Sequence, residues 1–368
     1  MPPRKTLSKA RAEASAPVVA TRFPVCSTCG MKRLLHQLAP ILILAVTAGC
    51  CWLLYTQLRE YRWADIRQAW NDMPASALWK AGGLAFLSYV VLVGYDFLAV
   101  RSIEHPLPLK KIAFGSFVGF AISYTLGALL GGTSVRYRMY SSWGLTTVEI
   151  LRLLVTVGIT FWLGVFALGG VLFVVAPFEI PAEVVAKTGL PATIRPLGWI
   201  LIGLTAIYFA IAGLWRTPLK VQGHKIKLPG LRMSLLQVLV AALDFAVAAG
   251  CLYVLLPDDL PLGYTRFLAI YMLAWVAVVS THAPGGVGVF DVVIVSLTHE
   301  SRKDAVLVAL LVYRFIYYLL PFFIAVPMFL LHEATIRGSK TNRLVMRMFG
   351  ENALSGPLQV PPTKPDAS

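Results

Sequence analysis

Eight apolar segments separated by short polar stretches make up most of the sequence. A helix needs about 20 apolar residues to cross the hydrocarbon core of a bilayer. Most of the segments reach that length, although the seventh does so only if its flanks are counted. This pattern predicts an all-α polytopic membrane protein. The segments cover residues 38–55, 77–100, 112–130, 148–176, 197–215, 231–256, 267–280 and 305–331.

Two of the segments run into helix-breaking residues. Proline lacks an amide hydrogen, and glycine in a helix costs about 1 kcal/mol relative to alanine. Inside a membrane, broken backbone occurs only where protein or trapped water can satisfy it. We therefore expect the breaks to be hinges or gates of re-entrant hairpins. They contain Gly131 and Gly132 after the third segment, and Pro284, Gly285, Gly286 and Gly288 after the seventh.

The distribution of basic residues favours six full spans and two re-entrant hairpins over eight full spans. The loop 216–232 carries five Lys or Arg residues and no acid, and the N-terminal region is also basic. Positively charged loops remain on the cytoplasmic side. Eight spans would place this loop opposite the N-terminus, whereas two re-entrant hairpins place the loop and both termini in the cytoplasm.

A faint internal repeat supports this arrangement. The glycine pairs Gly131-Gly132 and Gly285-Gly286 lie 154 positions apart, each at the end of an apolar run. Each half, about 38–176 and 197–332, would then consist of span, span, hairpin and span. An odd number of full spans inverts the second half relative to the first, and inverted repeats with interrupted helices are typical of secondary transporters.

The composition agrees with a membrane domain flanked by polar ends. The chain of 368 residues is 57% hydrophobic, with a net charge of +15. We predict a disordered basic cytoplasmic arm at 1–37, a transmembrane domain at 38–332 and a cytoplasmic tail at 333–368. The basic residues suit membrane topology and anionic lipid head groups, so no nucleic-acid partner is expected. Cys26 and Cys29 form an isolated CxxC, for which a spare thiol pair is favoured over a zinc site.

Motifs for catalysis are missing from the sequence. It contains no P-loop, nucleophile elbow, HExxH pair or dinucleotide fingerprint. We therefore expect no enzymatic activity, no cofactor and no metal site.

The first candidate site follows the glycine pair of the third segment. Arg136, Arg138 and Tyr140 lie within ten positions of Gly131. A guanidinium makes two parallel hydrogen bonds to a phosphate, so these arginines are predicted to hold a lipid phosphate. The alternative is that they are ordinary interfacial anchors. Thr146 and Glu149 farther on are typical of a helix start.

The second and third candidate sites are charged residues within apolar runs, which are costly there and therefore often functional. Superposing the glycine pairs places Asp291 between Arg136 and Arg138, so we expect these charges to meet across the repeat interface. Arg314 lies inside the eighth segment, with Asp244 as its best intramembrane counter-charge. The residues predicted to line the path beside Arg314 are Tyr317 and Tyr318, with Pro321 as a hinge.

These motifs, taken in order, resemble the lysylphosphatidylglycerol synthase transmembrane region, a flippase-like family also described as YbhN-type. The resemblance covers roughly residues 34–335. The one departure is Asp291, where the family pattern more often has Glu. The matching residues are Gly131, Gly132, Arg136, Arg138 and Tyr140, then Pro284, Gly285, Gly286, Gly288 and Asp291, then Arg314, Tyr317, Tyr318 and Pro321.

The resemblance implies movement of an anionic or aminoacylated phospholipid between the leaflets of a bacterial inner membrane. The aminoacyltransferase domain of the full-length synthase has no counterpart here, because about 35 residues follow the last predicted span. Two alternatives stay open: a lipid-binding module that docks a synthase or an envelope-assembly partner, and a secondary transporter of a small anion. The sequence does not select a coupling ion, a homo-oligomer or a membrane-protein partner.

Overall fold

The computed structural model describes the part of the chain from Arg67 onward, with gaps. The described residues are 67, 70–103, 105–127, 131–178, 193–214, 219–221, 224–226, 229–257, 260–281, 288–298 and 303–353. All of them fall within one compact unit, Leu53–Ser368. The first predicted span, the N-terminal arm with Cys26 and Cys29, and the end of the tail lie outside the described residues.

Within the described residues, five helical segments are long and apolar enough to cross a membrane. Their bounds agree with the predicted second, fourth, fifth, sixth and eighth segments to within a few residues. They are α1 (Ala75–Arg101), α4 to α5 (Thr147–Val175), α6 (Arg195–Leu214), α7 (Leu231–Tyr253) and the apolar part, Ala305–Ile336, of the last helical segment.

The outer faces of these helices carry large apolar side chains, as lipid-facing helices do. Examples are Trp79, Phe86, Ile207, Leu214 and Leu331. Together with the five apolar helices, this confirms the predicted fold class, an all-α polytopic membrane protein. The loop after α6 adds one short antiparallel pair of strands, β1 (Leu219–Val221) and β2 (His224–Ile226).

The third predicted segment is a helical hairpin, which we call hairpin 1. Helix α2 (Leu109–Leu126) leads into α3 (Thr133–Ser142), and positive-φ Gly127 ends α2. Small residues on α2 let the two helices approach closely and in opposite directions. The facing pairs are Ser123 with Gly132, Gly119 with Arg136 and Gly115 with Tyr140.

The seventh predicted segment is also a helical hairpin, which we call hairpin 2. It consists of α8 (Tyr264–Thr281) and α9 (Val289–Thr298). Helix α9 folds back so that Phe290 packs against Tyr271 and Trp275 of α8, with ring centroids 5.4 and 6.2 Å apart. Both interrupted segments are therefore helix–break–helix units, as predicted. The break residues Pro284, Gly285 and Gly286 themselves lie outside the described residues.

The last span of each predicted half contains a π-helical turn. The first lies between α4 (Thr147–Gly164) and α5 (Gly170–Val175) and covers Val165–Gly169. The second, Phe315–Leu319, joins α10 (Lys303–Arg314) to α11 (Leu320–Ala353). Such turns are rare in proteins, and those that occur are often found at functional sites. The two turns lie 150 positions apart, close to the 154 of the glycine pairs, and the repeat itself stays a prediction.

Two local features can be compared with the sequence predictions. Thr146 and Glu149 form a capping box at the start of α4, which confirms the expected helix start. Helix α11 continues to Ala353, about twenty residues beyond the predicted membrane boundary at 332.

Candidate functional site

Hairpin 1 holds a buried ion pair with α1. The guanidinium of Arg136 donates from Nε and Nη2 to the two carboxylate oxygens of Asp96, at 3.3 and 3.1 Å. The Tyr140 hydroxyl donates to the same carboxylate at 3.2 Å. Arg136 also lies 4.1 Å from the centroid of the Phe120 ring, a cation–π contact. Both charged side chains are at least 95% buried, so the pair is a closed polar unit inside the protein.

The second arginine of hairpin 1 forms a separate ion pair with the last span. Arg138 donates to the carboxylate of Glu333 at 2.9 and 2.5 Å. The Arg138 side chain is 40% exposed, which makes it the most accessible arginine of the candidate site. This contact ties the α3 helix to α11.

Arg136 and Arg138 have different partners in this structure, and their predicted contact with a lipid phosphate stays a prediction. Side chains two positions apart on a helix point to different sides. Because Thr133 already begins α3, the two guanidinium groups face α1 and α11 respectively. A shared site would have required an irregular turn at these positions.

Hairpin 2 also holds an ion pair, but here the hairpin contributes the carboxylate and the full span contributes the arginine. Arg314, the last residue of α10, donates to the carboxylate of Asp291 at 3.3 and 2.7 Å. Asp291 also accepts a 3.0 Å hydrogen bond from the amide of Gly288, which has a φ of 86°. The carboxylate thus caps the N-terminus of α9, where the helix dipole favours a negative charge.

Two expected charge pairings, one across the halves and one within the second half, are therefore wrong. Asp291 pairs with Arg314 rather than with Arg136 or Arg138, because α10 packs directly against α9. Arg314 consequently does not pair with Asp244. Each hairpin finds its counter-charge on a full span.

Asp244 lies in a different environment, at the interface of α7 and α1. It accepts hydrogen bonds from the hydroxyl of Ser88 at 2.8 Å and from that of Tyr95 at 3.2 Å. Ser88 is in turn 2.7 Å from the Tyr317 hydroxyl of the second π-helical turn. Asp244 is 4% exposed, and no arginine or lysine among the described residues forms an ion pair with it.

The two hairpins meet through aromatic rings. Tyr124 of α2 lies 6.4 Å from Trp275 of α8, centroid to centroid. It also lies 5.8 Å from both Tyr317 and Tyr318. We call this set of four rings the aromatic seam. Tyr317 is fully buried within it, whereas Tyr318 is half-buried.

Pro321 has a local effect that fits its predicted role as a hinge. It has no amide hydrogen, so the carbonyl of Tyr317 four positions earlier loses its usual helical partner. The hydroxyl of Tyr89 on α1 donates to that carbonyl at 3.2 Å. The irregular backbone of the last span is thereby satisfied by a side chain of α1.

Several residues of the site were not among the predicted site residues. Asp96 was visible as an acid inside an apolar segment, but nothing local singled out its partner. Glu333 was placed in the tail, because the apolar run ends just before it. Ser88 and Tyr95 lie seven positions apart, and therefore on one helix face, yet their partner is on a distant helix.

These features define a class: a polytopic α-helical membrane protein whose helical hairpins bury arginine–carboxylate pairs. Two relatives in particular fix the family. An uncharacterized protein of Synechocystis sp., slr0712, is 37% identical over 270 residues, covering 72% of this chain and 82% of the relative. Inner membrane protein YbhN of Escherichia coli is 30% identical over 286 residues, covering 77% and 88%. The chain belongs to the family of YbhN.

A more distant similarity connects the chain to larger proteins. The phosphatidylglycerol lysyltransferase of Staphylococcus aureus is 26% identical over 261 residues, covering 69% of this chain but 29% of the relative. The similarity is thus to the membrane part of that protein. No family model matches the chain.

Proposed function

We propose that the protein binds an anionic or aminoacylated phospholipid and moves its head group across the bilayer. The observation that carries this proposal is the pair of hairpins that bury bidentate arginine–carboxylate contacts inside a membrane domain. A guanidinium binds a carboxylate and a phosphate with the same two-pronged geometry. A lipid phosphate can therefore replace an internal carboxylate without leaving the guanidinium unpaired.

Arg138 is the entry point in this proposal. Its side chain is 40% exposed while those of Arg136 and Arg314 are 5% and 11% exposed. A lipid phosphate reaches Arg138 first and competes with Glu333. Arg136 and Arg314 follow only if the hairpins separate from α1 and α10, which makes them binding groups of a later step.

The proposed role is non-enzymatic. Phosphatidylglycerol lysyltransferase is the printed name of a relative whose matching part amounts to 29% of its length. We assign to this chain the membrane-domain function and not the transfer of an aminoacyl group. The proposed location is the bacterial inner membrane with both termini in the cytoplasm, supported by the loop charges and by the relative YbhN.

The test is a leaflet-specific assay in reconstituted vesicles. Vesicles contain phosphatidylglycerol and a trace of a fluorescent analogue, and a membrane-impermeant quencher reports the outer-leaflet fraction over time. We expect the wild type to equilibrate the analogue and Arg138→Gln to do so at least about tenfold more slowly, a loss typical of one charged contact. Arg101→Gln is the matched control, because Arg101 is an exposed arginine whose guanidinium lies 4.9 Å from the centroid of the Phe97 ring.

The outcomes separate the proposal from its main alternative. Equal rates for wild-type and empty vesicles would refute translocation. If the wild type still retained phosphatidylglycerol on purification and Arg138→Gln did not, the protein would be a lipid-binding module.

A further inference from the structure

Asp244 differs from three other carboxylates of the membrane domain. Asp96, Asp291 and Glu333 each make a bidentate contact with an arginine. Among the described residues, the side chains that hold Asp244 are the hydroxyls of Ser88 and Tyr95. A buried carboxylate without a cation is costly in a membrane, and protonation removes that cost by making the side chain neutral.

The groups that face Asp244 cannot neutralise its charge. In the part of the chain that the structure describes, several phenols lie close enough to Asp244 to interact with its charge: Tyr89 and Tyr95 from α1, Tyr124 from α2, Tyr271 from α8 and Tyr317 from the second π-helical turn. A phenol is uncharged at ordinary pH. Two arginines of the membrane domain are already paired with other carboxylates: Arg136 with Asp96 on α1, and Arg314 with Asp291.

The hydrogen bonds around Asp244 suit both of its charge states. Ser88 bridges the carboxylate and the Tyr317 hydroxyl, and either oxygen of the Ser88–Tyr317 contact can be the donor. With a charged carboxylate, the Ser88 hydroxyl donates to Asp244. With a protonated carboxyl, Asp244 donates to Ser88, which can then turn its own hydrogen toward Tyr317. One proton is gained or lost, and the Ser88–Tyr317 contact is kept with its donor and acceptor exchanged.

Tyr317 connects this exchange of a proton to the two hairpins, which the proposed transport would move. It lies in the π-helical turn, its carbonyl accepts from Tyr89, and its ring belongs to the aromatic seam between the hairpins. A change in charge at Asp244 alters the hydrogen bond that holds Tyr317, and hence the packing of both hairpins. The site is therefore placed where a proton can bias the position of the hairpins.

We propose that Asp244 is a proton-binding site that is protonated and deprotonated once per transport cycle, so that the coupling ion is a proton. This inference rests on the proposed lipid translocation and adds its energy source. The only step is the binding and release of one proton at the Asp244 carboxylate, and no other reactant takes part.

The experiment uses the same vesicles with an imposed pH gradient and the membrane potential clamped at zero by valinomycin and equal potassium. For one proton per lipid, a gradient of one unit shifts the leaflet distribution of the analogue by up to about tenfold. Asp244→Asn, a mimic of the protonated state, should lose this shift, and Asp244→Glu should retain part of it. Asp72→Asn, a change at an exposed acid, should keep the full shift.

A second measurement tests proton binding at Asp244 independently of lipid transport. Infrared difference spectra of the purified wild type, recorded as the pH is varied, should show a protonated carboxyl band that Asp244→Asn lacks. If the wild type moves lipid but ignores the pH gradient, the inference falls and the proposed function stands. A response to sodium in place of protons overturns it in favour of a sodium site. If the wild type moves no lipid, the proposed function falls and proton coupling falls with it, while the carboxyl band decides whether Asp244 binds protons.

Discussion

The two hairpins bury ion pairs of opposite polarity. In hairpin 1 the arginine belongs to the hairpin and the carboxylate to the full span, as Arg136 and Asp96. In hairpin 2 the carboxylate belongs to the hairpin and the arginine to the full span, as Asp291 and Arg314. The two hairpins therefore have the same helix–break–helix form, but the arginine and the carboxylate exchange places between them.

This reversal has a consequence for the proposed function. If hairpin 1 separates from α1, it carries a guanidinium that fits a phosphate. If hairpin 2 separates from α10, it carries a carboxylate that fits an ammonium group. A head group with both charges can then be matched from two sides, and the separated charges need not remain unpaired in the membrane, where each costs about 3 kcal/mol or more.

The largest expected effect concerns the side of the membrane from which each hairpin enters. If the halves are inverted, the base of hairpin 1 lies in the cytoplasm and that of hairpin 2 outside. In a chain without its native cysteines, Ser102→Cys should resist an impermeant thiol reagent in intact cells, and Gly263→Cys should react fully. Both positions are exposed, and both should react after the cells are opened. Labelling of the two positions on the same side would refute the inversion.

The next effect concerns the more deeply buried of the two ion pairs, Arg136 with Asp96. Arg136→Leu leaves Asp96 charged and unpaired in the protein interior, which should lower stability by about 3–5 kcal/mol. The double variant Asp96→Leu/Arg136→Leu should recover much of this loss, since it removes both charges. Thermal unfolding in detergent measures both. A single variant as stable as the wild type would show that Asp96 is not held as a charge by Arg136.

A smaller effect tests the close packing of hairpin 1. A Cβ at position 119 would lie 2.8 Å from Nε of Arg136, so Gly119→Ala should cost about 1–3 kcal/mol of stability. Gly203→Ala on α6 is the control, because nothing lies within 4 Å of the added methyl group. That change should be neutral or stabilise by about 0.5–1 kcal/mol. Equal effects at the two positions would contradict the helix contact.

Much of the fold could be predicted from the sequence, because apolar runs of spanning length and clustered Gly and Pro are local signals. The charges of Arg314 and Asp291 stood out for the same reason. Their pairing could not be predicted, since each partner is contributed by a different helix. The superposition of the glycine pairs aligned Asp291 with Arg136, but equivalent positions in two halves need not touch. The π-helical turn at Phe315–Leu319 was also invisible, because one extra residue in a turn scarcely alters an apolar pattern.

The smallest effect belongs to the pair that joins hairpin 1 to the last span. Arg138 is 40% exposed, so its contact with Glu333 should contribute about 0.5–1 kcal/mol in a double-mutant cycle of Arg138→Gln and Glu333→Gln. Arg138→Gln should therefore leave the protein folded while slowing lipid movement, which separates binding from stability. A coupling of about 3 kcal/mol would mean that Glu333 fixes hairpin 1 as firmly as Asp96 does. In that case Arg138 would be a structural contact, and the entry point for the phosphate would lie elsewhere.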